Sequence, residues 1–196
     1  MGNMFSGEPT LVWVTDSQLP DRHMVLISEF WYEDPQKKRW VAPANMKTNG
    51  ASIPRALWTL IGSPFTGDYR RAALVHDQAC VDARSGKGSR RAADRMFYHA
   101  CRDGGCPVRD AIILYVGVRI GSIKSLVAAW GSASIDFRPR LANSAGDENM
   151  ARDLCVCADQ VLHDGETDDI DEIERRTDMA FSLKIGIAPD ALALQK

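Results

Sequence analysis

The stretch from Tyr69 to Cys101 constrains this chain more than any other, because it reads as two helices joined by a turn too short to let them separate. Arg70–Arg84 carries Ala72, Ala73, Leu74, Val75, Ala79, Cys80, Val81 and Ala83, a density and spacing of apolar residues that predict a mostly buried helix. Ser85-Gly86-Lys87-Gly88 ends it, and Ser89 is placed to cap a second helix over Arg90–Cys101, which stops before Gly104-Gly105 and Pro107. Two helices so joined must lie antiparallel and in contact.

The polar residues of this hairpin are few and specifically placed. Ala72, Ala73, Ala79, Cys80 and Ala83 surround His76 at helical spacing, so its face is smooth and a neighbour can approach closely. Asp94 shares a face with Phe97, Tyr98 and Cys101, where a carboxylate is expensive unless it is paired. At about 1.5 Å per residue, His76 lies about 12 Å from the turn and Asp94 about 8 Å, so imidazole and carboxylate are expected to meet. A carboxylate on one ring nitrogen fixes the tautomer and leaves the other nitrogen as a base. Asp77 points about 100° away from His76 and has no oppositely charged helical neighbour, which leaves it to hold a cation.

Upstream, Thr10–Thr15, Met24–Trp31 and Arg39–Val41 carry strand signals punctuated by Pro20-Asp21 and Asp34-Pro35, predicting one small antiparallel sheet within residues 10–43. Asn49–Asp68 is a long irregular segment of the kind that tends to carry function. Its Asn49-Gly50 turn exposes backbone carbonyl oxygens, and Ser52, Trp58 and Phe65 are the expected substrate contacts. Pro107–Trp130 reads as a long core helix. Arg109, Arg119 and Lys124 interrupt it, so it falls short of the roughly 18–20 uncharged residues of a membrane span. Gly117 and Gly121 are spaced to admit another helix closely. Met150–Leu162 and Asp168–Ile185 read as amphipathic helices, the second with acidic residues at its start, where they favour the helix dipole.

Charge separates the two ends of the chain. Residues 141–196 hold 13 acidic and 5 basic side chains, whereas residues 1–140 hold 13 acidic and 19 basic. The expected organisation is therefore a core domain over 1–140 and an acidic helical extension over 141–196, a surface for a protein partner. A formal net charge of -2 argues against a nucleic-acid binder. The N-terminus lacks the basic start and apolar run of a signal peptide, so synthesis in the cytoplasm is expected. Five cysteines have no zinc spacing; Cys101 and Cys106 read equally well as a pair or as free thiols.

Asn49-Gly50-Ala51-Ser52-Ile53-Pro54, Ser63-Pro64-Phe65, Ala72-Ala73-Leu74-Val75-His76-Asp77 and Ala92-Ala93-Asp94-Arg95-Met96-Phe97 resemble a domain family of unassigned function found in phage and bacterial genomes. That family's pattern is Asp-Gly-Ala-Ser-Ile-Pro, then His-Asp, then Ala-Asp-x-x-Phe, matched here across roughly residues 40–125. The same order of parts is more distantly similar to the bacterial and fungal secreted phospholipases A2. The expected fold is therefore α+β: the small N-terminal antiparallel sheet, a helical hairpin that the likeness makes phospholipase-like, and further helices. The likeness also implies roles: His76 as the base that activates water, Asp94 as its orienting partner, and Asp77 with Asn49 and Gly50 as ligands of a calcium ion. The ion would hold a phosphate and stabilise the oxyanion of an attacked ester.

The resemblance implies a calcium-dependent esterase acting on phospholipid at a membrane surface, delivered as an effector by a phage or secretion system. Two departures stand out: Asn49 replaces an aspartate, and Cys80 replaces a tyrosine that braces the aspartate. The supporting disulfides of the phospholipases are missing as well. The alternatives are a non-enzymatic phage or secretion-system component in which the dyad ties two helices, and a cell-wall hydrolase. Ser52 sits in no nucleophile-elbow pattern and Cys80 lies on a small-residue face, so neither reads as a strong nucleophile.

Overall fold

The computed structural model describes residues 4–14, 24–48, 67–131 and 145–185. The chain is α+β, and its described residues hold short antiparallel strands at the N-terminus followed by five helices; they divide into two compact units, one ending at Pro107 and the other starting at Val108.

In the first unit β1 (Leu11–Trp13), β2 (Met24–Leu26) and β5 (Lys47–Thr48) form an antiparallel sheet in the order β1-β2-β5. β3 (Phe30–Glu33) and β4 (Arg39–Ala42) form a separate hairpin, pairing Phe30 with Ala42 and Tyr32 with Trp40. The single sheet read from sequence is thus two: the Met24–Trp31 run breaks after Leu26, and Ile27 is exposed. Alternation decides which face of β3 packs inward. Phe30 and Tyr32 are buried, Phe5 packs on both rings, and the Tyr32 hydroxyl donates to Asp103 at 2.6 Å. Asp34 closes the hairpin turn by accepting from the Lys38 amide at 2.9 Å and the Trp40 indole at 2.8 Å.

The helical hairpin forms where the pattern placed it. α1 (Arg70–Arg84) and α2 (Arg90–Asp103) are antiparallel neighbours, and α1 also packs on β3 and β4. Ser89 caps α2, its hydroxyl accepting from the Ala92 amide at 3.1 Å. The end of α2 admits no side chain at Gly104, where a Cβ would lie 2.5 Å from the Asp68 carbonyl oxygen. Cys101 and Cys106 are buried free thiols, and burial together with the neighbouring Cys106 pushes the Cys101 thiol well above its ordinary pKa.

The second unit contains α3 (Val108–Gly131), α4 (Ala145–His163) and α5 (Ile170–Ile185), with α3 packed against both others. Gly117 admits α4 as its spacing predicted, for a Cβ there would meet Leu154 Cδ1 at 3.2 Å; Gly121 meets nothing. Arg119 is fully buried, with Nε 2.9 Å from Asp178 Oδ1 and Nη2 3.2 Å from Oδ2, and Tyr115 donates to Glu174 at 3.0 Å. Among the described residues no helix is long and apolar enough to cross a membrane.

Candidate functional site

The site is built by the α1–α2 hairpin. His76 and Asp77 are consecutive on α1 and therefore diverge; Asp94 faces back from α2. His76 Nε2 lies 2.9 Å from Asp94 Oδ1, so the ring donates there and the meeting expected from the two distances to the turn occurs. Asp94 is 0% exposed and His76 7% exposed, and Phe97 tilts against the imidazole with ring centroids 4.8 Å apart.

Cys80 completes the surroundings of the ring. Its Sγ is 3.7 Å from Nδ1 and 3.6 Å from Nε2. Near-equal distances put the sulfur on the plane bisecting the two nitrogens, and a position within the ring plane would press it onto Cε1. The thiol therefore rests against the ring face and lies on neither lone-pair axis. Nδ1 thus has no oxygen or nitrogen partner among the described residues, although the ring is almost wholly buried.

Burial by itself would strip the His76 proton, but the Cys80 sulfur and the Asp94 carboxylate outweigh it and hold the imidazole pKa up at about 10. At neutral pH the ring is an imidazolium clamped to a carboxylate. Asp77 is partly buried and accepts from the Thr48 hydroxyl at 3.0 Å. Burial raises its pKa, while His76, Thr48, Arg84 and Arg90 pull the other way. The carboxylate that the sequence left without a local partner thus has a non-local one, Thr48 on β5. Thr48 directly precedes Asn49-Gly50, the only hint in the sequence that it borders the site.

Asn49, Gly50, Ser52, Trp58 and Phe65 lie outside the described residues. Among the described residues no cluster of three or more His, Cys, Asp or Glu side chains is poised for a metal. Asp77 and Thr48 nevertheless offer the hard oxygen donors that calcium takes, and Thr48 directly precedes Asn49 and Gly50 in sequence. A cavity of about 470 Å³ lies in the other unit, lined in part by Asp159, His163, Arg175, Met179 and Leu183. Its His163 is 86% exposed at the side chain and only 3.4 Å from Asp164, an ordinary solvated pair, so the hairpin and not this groove is the candidate site.

Residues 24–118 match a family described as "Protein of unknown function (DUF1353)". An uncharacterised protein of Sinorhizobium fredii, y4jT, is 38% identical over 95 residues, covering 47% of this chain and 27% of that protein. A second uncharacterised protein of the same organism, y4iH, is 32% identical over 117 residues, covering 59% of this chain and 46% of the relative. The chain therefore spans less than half the length of these curated relatives. No solved structure matches it. The stretch that carries His76, Asp77, Cys80 and Asp94 accordingly lies within the residues that match this family of unknown function, and the relatives similar to it are uncharacterised.

Proposed function

We propose that this domain is a hydrolase of the His-Asp type that cleaves an ester, with phospholipid as its substrate class. The observation that carries the reading is the 2.9 Å bond from His76 Nε2 to a fully buried Asp94, which leaves Nδ1 without an oxygen or nitrogen partner among the described residues. In that arrangement Asp94 holds the ring, and water loses a proton to Nδ1 as its oxygen adds to the ester carbonyl. The ester C–O bond then breaks and the proton leaves with the alcohol. Asp77, with Asn49 and Gly50, would hold calcium, whose charge favours an oxyanion. The likeness to secreted phospholipases A2 in the order of parts is a further motive for this reading. On it, the acidic C-terminal helices are left to a protein partner.

A base must first release its own proton. With the imidazole pKa held up at about 10, the active neutral fraction at pH 7 is small, and turnover is expected to climb through the alkaline range. The test is fatty-acid release from mixed phosphatidylcholine and phosphatidylglycerol vesicles with millimolar calcium, between pH 7 and 10. The expected result is release that rises with pH and vanishes in a folded His76→Gln variant. No release from the wild-type protein at any of these pH values overturns the reading.

A second reading is favoured by the 7% exposure of His76: the dyad ties α1 to α2 and catalyses nothing, as in a structural component of a larger assembly. It predicts that His76→Gln loses stability while even the wild-type protein releases no fatty acid.

A further inference from the structure

We propose that the groove between α4 and α5 docks a basic amphipathic helix of another protein, about three turns long. The inference stands on the second unit alone and is independent of the hydrolytic reading of the first.

Helical spacing gives each of the two helices a buried and an open face. α4 turns Leu154, Cys157 and Val161 inward, and α5 turns Ile173 and Phe181 inward. The open side is not simply polar. Met179 and Leu183, one turn apart on α5, are 46% and 76% exposed and line a cavity of about 470 Å³ together with the buried Ala180. Val156, 42% exposed, stands one turn before Asp159 and Gln160, the groove residues of α4. Large exposed apolar side chains scattered singly need no explanation, but three around one groove mark a surface that something covers. Ties between the helices bracket it. Arg176 donates to the Gly165 carbonyl at 2.9 Å at one end, and Lys184 meets Asp153 at 2.7 Å at the other. From Asp153 to His163 α4 rises about 15 Å, which is the length of about three helical turns.

Charge selects the occupant. Ala145–Ile185 holds 12 acidic side chains against 4 basic ones, a net of -8. Three of those cations are already answered: Arg175 and Arg176 bond Glu172 at 2.8 and 2.7 Å, and Lys184 bonds Asp153. Asp159 and Asp164 line the groove, and Asp159 has no lysine or arginine partner among the described residues. So acidic a surface repels nucleic acid and anionic lipid and attracts a cationic segment. Backbone chemistry selects its form. Helices satisfy their own backbone hydrogen bonds and offer no strand edge, so the partner is read through side chains laid into a groove. An amphipathic helix with apolar residues at i, i+3, i+4 and i+7 meets Val156, Met179 and Leu183, and its flanking lysines meet Asp159 and Asp164. Met179 suits that contact, because an unbranched thioether adapts to the side chain it receives.

The test is fluorescence anisotropy of a labelled synthetic peptide titrated with the full chain. The peptide carries leucines at i, i+3, i+4 and i+7 and lysines elsewhere, and its control is the same composition scrambled to remove the apolar face. The expected result is saturable binding of one peptide per chain, weaker as salt is raised and weak for the scrambled peptide. Leu183→Ser and Asp159→Lys, both at exposed positions that the fold does not depend on, should each weaken it by about tenfold or more. Glu29→Lys, the same change of charge at an exposed position in the first unit, should leave it within about twofold. Equal affinity for the scrambled peptide, or full binding by Leu183→Ser, overturns the proposal by showing attraction to the acidic surface without the groove. Absence of binding also overturns it, and a dimer or vesicle binding lost in Leu183→Ser would then give the groove to a second copy or to lipid. Because the peptide assay needs neither turnover nor the hairpin residues, its failure and that of the fatty-acid assay are read separately.

Discussion

His76–Asp94 in the first unit and Arg119–Asp178 in the second are both 2.9 Å contacts between two helices, and both are hidden from water. They differ in what surrounds the cation. Arg119 places two of its nitrogens on the two oxygens of Asp178, and a guanidinium stays charged at every pH a folded protein meets. His76 commits one nitrogen and leaves the other against a sulfur, and its charge can be removed. The first pattern fixes two helices against each other at every pH; the second ties two helices through a group whose charge can be removed. Burial is common to both pairs, so what sets His76 apart is an ionisable cation with one ring nitrogen that has no oxygen or nitrogen partner among the described residues.

The largest expected effect breaks the fixed pair. Arg119→Met leaves the Asp178 carboxylate buried without its guanidinium, and urea unfolding followed by circular dichroism should show a loss of about 3–5 kcal/mol. Replacing both partners, Arg119→Met with Asp178→Leu, should recover most of that loss, because a buried ion pair returns little beyond its own desolvation cost. A double variant as damaged as the single one would mean that Arg119 acts through contacts other than Asp178.

A smaller effect separates the two pairs by pH. The folded-state pKa of His76, about 10, stands above the unfolded value of about 6.5. The folded state therefore binds the extra proton across that window, so this contribution to stability is complete below about pH 6.5 and is lost as pH rises through about 10. Unfolding free energy should fall across that window in the wild-type protein. Asp94→Asn removes one of the groups that hold the proton on. It should lower stability at pH 7 by about 1–3 kcal/mol and flatten the alkaline decline. A decline equally steep in Asp94→Asn would assign it to another group.

The same contrast explains how much of the fold and the site is legible in the sequence. The helices and the His76–Asp94 meeting were legible because periodicity, a glycine-broken turn and a fixed rise per residue are local quantities. Arg119 read as an interruption of an apolar helix because its partner lies 59 residues away, and nothing in the local pattern announces Asp178. Thr48 and Asp77, 29 residues apart, were missed for the same reason. The sheet was read as one because strand propensity says where strands form and not which of them pair. Asn49, Gly50, Ser52, Trp58 and Phe65 fall outside the described residues.

The smallest expected effect tests close packing in the second unit, where the helices meet through a glycine. Gly117→Ala puts a methyl 3.2 Å from Leu154 Cδ1, tighter than most carbon contacts, but the atom it meets ends a flexible side chain. Against that crowding, alanine in a helix interior is favoured over glycine by about 1 kcal/mol. The two terms nearly cancel, and the expected change in unfolding free energy is within about 0.5 kcal/mol of zero. Pairing it with Leu154→Ala sharpens the result: removing the crowded methyls should let the helix-propensity gain appear in full, so Gly117→Ala should stabilise the Leu154→Ala background by about 1 kcal/mol. If it destabilises that background as well, the close approach is made by backbone rather than by the leucine.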